Sequence, residues 1–287
     1  MDNGQFPLLK VAKTFHFPLS TFHVSITTTA SATGKIILSG EYAVLFGKRG
    51  IAIPSEKKIK AMFTASQKNN NTTIEWSGKS DDDTWMIYAK QIAEKIKEYT
   101  GVFGTFHIEN DLSLGKGMGA STALILAMCR ASLGPDCARI TLTIENELNP
   151  GNSGIDFAVI WEGKPILFQK NSIPEIVDID LRKLGAYELI DTGAPNETTP
   201  ELVAWVRSRE AELKYPIETI GNCTERLLQG EDIHLVLRDH HRAQVALGIV
   251  PISVQRMITE IEERGGSAKV IGAGARTGGG GMVLALP

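Results

Sequence analysis

Large apolar residues along this chain follow a helical period in some segments, and they predict several helices. One set recurs at spacings of three and four: Trp85, Tyr88, Ile92, Ile96 and Tyr99. That spacing predicts an amphipathic helix that ends at Gly101. Apolar runs predict two further helices over residues 121–133 and 136–148, the second of them capped by Asp136.

The second half of the chain is predicted to be mostly helical. Thr199 is a capping hydroxyl, Pro200 follows at the first helical position, and Glu201 places an acid in the first turn, so a helix is expected to start there. From this point to residue 265 the pattern favours helices, with breaks expected at three positions: Pro216, Gly230 and Pro251.

Short apolar segments bounded by turn residues predict strands between these helices. They are residues 36–38, 51–53, 59–63, 106–108, 189–190, 268–271 and 282–286, with two more strands inside 155–170. The run Asn69–Asn71 predicts a hairpin loop. Because strands and helices are interspersed without a regular βαβα rhythm, the predicted class is α+β.

Two lobes that meet at a cleft are expected, with a boundary near residues 175–195. We assign an N-terminal domain to residues 26–180 and a C-terminal domain to residues 181–287. Residues 1–25 show no clear period and lack the long apolar core of a signal peptide, so they are interpreted as an extension.

Composition and charge exclude several classes of protein. The 287 residues are 43% hydrophobic and 22% charged, which is typical of a globular chain. The net charge is −3, so no basic excess points to a nucleic acid or a membrane as partner. No apolar run approaches the roughly 18 residues of a transmembrane helix. Three cysteines without a C-x-x-C pair are typical of a reducing cytosol, and a cytoplasmic protein is expected.

Residues 114–123 contain three alternating glycines that run directly into an apolar helix. Glycines let a backbone approach a ligand and aim successive N–H groups at it, and the helix N-terminus adds a positive dipole end. The segment therefore predicts a polyphosphate site, where Ser121 and Thr122 contact phosphate or phosphate-bound magnesium. The alternative is a tight turn with a hydroxyl cap, which requires fewer glycines.

Two other glycine-containing segments are weaker candidates for a ligand site. Residues 272–281 hold six glycines in ten positions between two predicted strands. This is either a floppy loop or a loop that lies against another backbone or a ligand. Residues 32–35 and 40–42 form the other candidate, although a lysine such as Lys35 beside a strand is usually a solvated surface charge.

Two acidic residues stand out by their surroundings. Asp156 lies where a loop enters an apolar segment predicted as a strand, and Glu145 lies 11 residues earlier on a predicted helix. Each alone is typical of a surface or capping acid. Together with a polyphosphate loop they match what phosphoryl transfer requires: a metal ligand, an acid that orients the nucleophile, and a cation that offsets charge.

Three segments resemble, in order, the motifs of the GHMP kinase superfamily, which includes galactokinase, homoserine kinase, mevalonate kinase and phosphomevalonate kinase. They are residues 32–47, 117–123 and 269–274 with the glycines that follow. Three more segments are similar to mevalonate kinases within that superfamily: residues 151–156, 191–198 and 240–248. The resemblance extends from about residue 30 to residue 287.

This resemblance implies the GHMP kinase fold, in which an N-terminal lobe like ribosomal protein S5 and a ferredoxin-like C-terminal lobe enclose a cleft. It implies ATP-dependent phosphorylation of the 5-hydroxyl of (R)-mevalonate in isoprenoid biosynthesis, with Mg²⁺ as cofactor and ATP and mevalonate as partners. A homodimer is also expected. The alternatives are a phosphomevalonate kinase or another small-molecule kinase of the superfamily, and then a catalytically silent metabolite sensor.

The resemblance also implies roles for individual residues. Asp156 is expected to be the catalytic acid or base, and Lys35 its electrostatic partner. Ser121 and Glu145 are expected to be the magnesium ligands. The residues expected to bind the ATP phosphates are Gly115, Gly117, Met118, Gly119, Ala120, Ser121 and Thr122.

On the acceptor side, the resemblance implies contacts from Glu41, Tyr42 and Thr192. The sequence departs from mevalonate kinases here, since Tyr42 stands where they usually have a histidine, although a phenol can also donate a hydrogen bond. Ala120 replaces the first serine of the phosphate loop, and residues 275–277 lengthen the third motif.

Overall fold

The computed structural model describes residues 27–66, 71–78, 83–179 and 187–287. The extension expected over residues 1–25 lies outside these ranges, as do Asn69 and Asn70 of the expected hairpin loop. The described residues form two β-sheets and eight α-helices, which is the mixture expected of an α+β protein.

The elements follow one another without a repeating unit. The strands are β1 (Thr27–Ser39), β2 (Arg49–Ala65), β3 (Thr73–Gly78), β4 (Gly104–Asn110), β5 (Ile166–Gln169), β6 (Glu175–Ile176), β7 (Glu188–Asp191), β8 (Ser267–Val270) and β9 (Met282–Leu286). The helices are α1 (Asp83–Thr100), α2 (Ala120–Leu133), α3 (Ala138–Leu148), α4 (Ile155–Glu162), α5 (Thr199–Arg207), α6 (Lys214–Leu228), α7 (Ile233–Ala246) and α8 (Ile252–Glu263). Within the described ranges, none of these helices has the length and apolarity needed to cross a membrane.

Strand β2 organises the larger sheet because it pairs with β1, β4 and β5, in each case antiparallel. It contains both segments that the sequence predicted as separate strands, residues 51–53 and 59–63, so that division was wrong. Residues 56–58 between them are exposed and polar, but they continue the strand instead of ending it. Strand β3 pairs with β4 in parallel, so β4 separates β3 from β2.

The smaller sheet has the order β7-β9-β8 and is antiparallel. Both strands predicted near the C-terminus are confirmed as β8 and β9. One hydrophobic cluster lies around the larger sheet and α2, and a second lies around the smaller sheet and includes buried residues of α5, α6 and α8. The domain boundary at residues 180 and 181 falls between the described ranges, so the division into two domains stays a prediction.

Helix α2 is apolar on every side because protein surrounds it. Consecutive residues on a helix point about 100° apart, and yet Leu124, Ile125 and Leu126 are all completely buried. The helix packs on β1 and β2 on one side and on α1, α3 and α4 on the others. It therefore gives the glycine-rich segment before it a fixed support in the core.

The apolar segment at residues 155–162 is a helix, α4, and not the strand that the sequence predicted. A short continuous apolar run does not distinguish a buried strand from a buried helix by its period. Here Ile155, Val159 and Ile160 are buried at helical spacing. As a consequence, Asp156 lies in the first turn of a helix, and only β5 follows as a strand.

Two predicted helix starts are displaced by one or two residues, and one predicted helix break is wrong. Asp136 does not cap α3, because the helix begins after Cys137. The cap of α5 is Thr198 instead of Thr199: its side chain accepts a hydrogen bond from the Glu201 N–H, and Glu201 binds the Thr198 N–H in return. Pro216 lies in the first turn of α6, where proline is tolerated, so it does not break a helix.

The glycine-rich segments at residues 114–123 and 272–281 meet at Gly117, which has a φ of +84°. A Cβ atom placed there would lie 2.4 Å from the backbone oxygen of Ile271. We expect Gly117→Ala to lower the free energy of unfolding by about 1–2 kcal/mol for the left-handed backbone and by a further ~1–3 kcal/mol for the clash. Equilibrium unfolding in urea measures this loss.

Gly115→Ala is the matched control for that prediction. Gly115 also has a positive φ, +67°, but a Cβ atom there would meet nothing within 4 Å. Gly115→Ala should lower the free energy of unfolding only by the cost of the left-handed backbone, about 1–2 kcal/mol. Equal losses in the two variants would contradict the close approach of Gly117 to Ile271.

Candidate active site

A cavity of about 320 Å³ lies where the two glycine-rich segments approach β1 and the N-termini of α2, α4 and α5. It collects side chains that are far apart in the sequence. The charged residues that line it are Lys35, Glu41, Lys116, Glu145 and Asp156. The larger part of the predicted site is thus brought together in one place. The individual side chains differ in how deeply they are buried and in whether they already have a partner.

Lys35 and Asp156 form an ion pair at this cavity, with 3.2 Å between Lys35 Nζ and Asp156 Oδ1. The Lys35 side chain is 3% exposed, whereas that of Asp156 is 34% exposed. A buried ammonium group requires an opposite charge, and Asp156 supplies it from the first turn of α4. The carboxylate remains open to the cavity, so it can also contact a bound molecule.

The phosphate loop is held against β1 by its backbone, because the Lys35 N–H donates to the Met118 carbonyl at 2.9 Å. The residues of the predicted phosphate site that line the cavity are Gly115, Gly117, Gly119, Ala120, Ser121 and Thr122. Met118 does not line it, since its side chain is completely buried in the core. The Met118 side chain and carbonyl thus anchor the loop, and its contact with phosphate stays a prediction.

Glu145 carries a carboxylate whose charge the protein compensates only in part. Thr122 Oγ1 donates to Glu145 Oε1 at 2.9 Å, so the Thr122 hydroxyl, predicted at the phosphates, is directed to Glu145. Glu145 Oε2 is buried without a hydrogen-bond partner among the described residues. Burial raises the pKa of Glu145 to about 7, and the negative charge of the nearby Asp156 also raises it. The hydrogen bond from Thr122 acts in the opposite direction and lowers this pKa.

This unpartnered oxygen fits a divalent cation. Ser121 and Glu145 both line the cavity and both offer oxygen, which is the ligand atom that Mg²⁺ prefers. Across the described ranges, no group of three or more His, Cys, Asp or Glu side chains forms a complete metal site. A magnesium ion here would therefore depend on a bound molecule and water for its other ligands.

Glu41 faces the cavity, but its carboxylate is already engaged in a buried cluster. It forms an ion pair with Lys269 through Oε1, and Oε2 lies 3.1 Å from His240 Nε2. Burial alone would raise the pKa of Glu41, but the Lys269 charge and the His240 contact lower it to about 2. Burial, with the charge of Lys269, lowers the pKa of His240. The cluster gives Glu41 a structural role, and its contact with the acceptor stays a prediction.

Tyr42 forms part of the cavity wall and has a strained backbone. Its φ is +62°, which is rare for a bulky residue, and the Ala43 N–H donates to the Glu41 carbonyl across it at 2.8 Å. The Tyr42 hydroxyl donates to the Ala273 carbonyl at 2.6 Å. Burial raises the pKa of this phenol, so it remains a hydrogen-bond donor. The first and third motifs are joined here.

Thr192 is not among the residues that line the cavity, and its predicted contact with the acceptor stays a prediction. Its hydroxyl donates to the Gly281 carbonyl at 2.7 Å and accepts from the Gly280 N–H at 3.0 Å. Thr192 therefore anchors the third glycine-rich segment. The two interpretations left open for residues 272–281 are resolved in favour of close contact with other backbone, since Gly279 lies against Gly193.

The lengthened part of the third motif is also anchored. Glu197 accepts hydrogen bonds from the backbone N–H groups of Arg276 and Thr277, at 3.1 and 3.3 Å. The Arg276 guanidinium lies 4.7 Å from the centre of the Trp205 ring, a cation–π contact. These contacts hold the lengthened part of the motif, and Gly272 lines the cavity.

Sequence reasoning missed two lysines at this site. Lys269 lies in the buried strand β8, where a charged residue among apolar neighbours signals a buried partner. Lys116, between two glycines of the phosphate loop, pairs with Asp191 at 2.6 Å. Its position in the loop was visible in the sequence, but its partner was not, because 75 residues separate the two.

Comparison with known proteins agrees with this geometry. Residues 87–164 match the family model of the GHMP kinases N terminal domain. The mevalonate kinase of Thermococcus sibiricus is 28% identical, and the alignment covers 90% of this chain and 88% of that protein. The mevalonate kinase of Archaeoglobus fulgidus is 25% identical, with 90% and 91% covered.

A solved structure shows the same fold. The crystal structure of L. major mevalonate kinase in complex with R-mevalonate superimposes with a TM-score of 0.72 at 17% identity, covering 92% of this chain and 88% of that one. The cavity with its paired lysine and aspartate, the phosphate loop and the relatives all agree with the resemblance first noted in three sequence motifs. Residues 87–164 are therefore similar to the N-terminal domain of the GHMP kinases, and over most of its length the chain resembles the mevalonate kinases.

Proposed function

We propose that this protein is a mevalonate kinase, which transfers the γ-phosphoryl group of ATP to the 5-hydroxyl of (R)-mevalonate and releases 5-phosphomevalonate and ADP. The observation that carries the proposal is the Lys35–Asp156 ion pair, which faces the phosphate loop across one cavity. The relatives that cover most of this chain are named mevalonate kinases, which supports the choice of substrate.

Asp156 is the group that receives or orients the proton of the attacking hydroxyl. Its side chain is accessible from the cavity, and the ion pair with the buried Lys35 side chain holds it in place. Lys35 also offsets negative charge that develops as the phosphoryl group moves. Positioning and electrostatics supply most of the acceleration in phosphoryl transfer, and both come from this pair.

The nucleotide phosphates lie along residues 115–122. The free N–H groups and the positive end of α2 favour anions there, and the positive φ of Gly115, Gly117 and Gly119 is typical of loops that wrap a phosphate. Ser121 and Glu145 would hold Mg²⁺ at this position, where the ion offsets phosphate charge during transfer. Trp85 and Leu148 line another part of the same cavity and offer apolar surface for the base.

A phosphomevalonate kinase is the second candidate within the same fold. Its acceptor carries a phosphate group and would call for additional cations. Among the described residues that line the cavity, the cationic side chains are Lys35, which is paired with Asp156, and Lys116, which lies in the loop proposed for the nucleotide phosphates. This favours the acceptor without a phosphate. A silent metabolite sensor would not require an acid beside the transferred group, so Asp156 favours an enzyme.

The three cysteines are free and buried, which is consistent with a reducing compartment, and we place the enzyme in the cytoplasm on that ground. A homodimer stays a prediction.

Asp156→Asn keeps the shape of the side chain but removes the carboxylate. Turnover should fall by about 10²–10⁴-fold, because acid–base function is lost, while the affinity for ATP changes little. An ADP-release assay measures turnover, and a titration with ATP measures binding. Asp136→Asn, an exposed position outside the cavity, is the matched control. Near-normal turnover of the Asp156 variant would remove this residue from the mechanism.

Ser121→Ala and Glu145→Gln each remove one oxygen ligand from the magnesium position. Both variants should require a higher Mg²⁺ concentration for half-maximal rate, since a hard cation binds less well with fewer charged or polar oxygens. The measurement is the rate as a function of free Mg²⁺ at saturating ATP and mevalonate. If the Mg²⁺ dependence is unchanged in both variants, the two residues are not the ligands.

Tyr42→Phe removes the hydrogen bond to Ala273 while the ring continues to fill the cavity wall. Loss of this neutral hydrogen bond should lower the free energy of unfolding by about 0.5–1.5 kcal/mol, and because Tyr42 lines the cavity the KM for mevalonate should rise. The KM for ATP should stay the same, and steady-state kinetics with each substrate varied tests both. An increase in the KM for ATP instead would place Tyr42 on the nucleotide side.

A further inference from the structure

Lys116 is a cation at the centre of the phosphate loop that the mechanism above does not use. It lies between Gly115 and Gly117, and it lines the main cavity. It also lines a second cavity of about 300 Å³, which shares the same two glycines. Its side chain therefore stands next to the place where the nucleotide phosphates are proposed to bind.

The ammonium group of Lys116 is held by Asp191 at the end of β7, with 2.6 Å between Nζ and Oδ2. The Lys116 side chain is 21% exposed and that of Asp191 is 43% exposed. The other oxygen of Asp191 accepts from the Gly193 N–H at 3.0 Å. Ion pairs that water reaches to this degree are weak, so this one can exchange its partner.

The loop does not depend on that ion pair for its position. The Lys116 carbonyl accepts from the Met282 N–H at 3.0 Å, and Gly281 packs against the same backbone. The side chain can therefore turn from Asp191 towards the cavity while the backbone of the loop stays in place. Lys35 lacks this freedom, because its side chain is buried and its backbone is tied to Met118.

We propose that Lys116 is a further ligand for the phosphates of the nucleotide, and that Asp191 holds it until a nucleotide binds. The inference rests on the proposed kinase function, because it requires a nucleoside di- or triphosphate in the phosphate loop. A polyphosphate carries several negative charges and accepts charge-assisted hydrogen bonds, so it competes successfully with one exposed carboxylate. Asp191 lowers the affinity for nucleotide, since the ion pair has to break first.

The test is the affinity for ADP in the presence of Mg²⁺, measured by isothermal titration calorimetry on the full chain without mevalonate. Lys116→Met should weaken binding by about tenfold to a hundredfold, which is typical of losing a hydrogen bond to a charged group. Lys116→Arg, which keeps the charge, should restore most of the affinity. Asp191→Asn should tighten binding by about two- to fivefold, because Lys116 is then released.

The double variant Lys116→Met/Asp191→Asn separates release of the lysine from simple removal of a negative charge. It should bind ADP as weakly as Lys116→Met alone, since Asp191 acts through Lys116. If the double variant binds ADP more tightly than Lys116→Met alone, Asp191 does not act through Lys116, and the proposal is overturned. Weaker binding of ADP by Asp191→Asn would also overturn the proposal. The Lys116–Asp191 ion pair would then favour nucleotide binding instead of competing with it.

Glu109→Gln is the matched control, since Glu109 pairs with Lys60 at 3.1 Å on strands β4 and β2 and lines neither cavity. Its affinity for ADP should equal that of the wild type. If the wild type binds ADP and all variants bind it equally, the role of Lys116 fails while the kinase function stands. If the wild type does not bind ADP, the kinase function itself fails.

Discussion

The buried ion pair between Glu41 and Lys269 joins the two sheets, and the cavity between them depends on it. Lys269 comes from β8 of the smaller sheet, and its ammonium group also donates to the Ile37 carbonyl of β1 at 2.9 Å. Removing one partner of such a pair leaves a charge buried without compensation, which is strongly destabilising. The first motif therefore keeps its shape only while the C-terminal part of the chain is packed against it.

Tyr42 shows how this constraint reaches the site. Its backbone is strained, and such a conformation persists only when surrounding contacts hold it in place. Those contacts come from the neighbouring Glu41 cluster and from the hydrogen bond of Tyr42 to Ala273. The histidine usual in mevalonate kinases is thus replaced by a residue that joins the first motif to the third, and the wall of the cavity is formed by both ends of the chain.

The charged side chains of the site are of two kinds: some are buried and fixed, and others are partly exposed and able to move. Lys35 is buried and paired with Asp156, so its ammonium group is in place before any substrate binds, as preorganised catalysis requires. Glu145 is buried with one oxygen unpartnered, so it favours a cation. Lys116 is partly exposed and paired with an exposed carboxylate, so its side chain can exchange its partner. Burial decides which of these roles each charge has.

The sequence by itself determined the composition class, the helices α1 and α2 and the glycine-rich turn before α2, because these follow from local period and local glycine chemistry. It did not determine α4, since a short apolar run has no distinguishing period. Only the tertiary structure decided what Glu41, Thr192 and Lys116 contact. Their partners lie 228, 89 and 75 residues away in the chain, and the direction of a side chain towards a distant partner is set by packing, which no local pattern encodes.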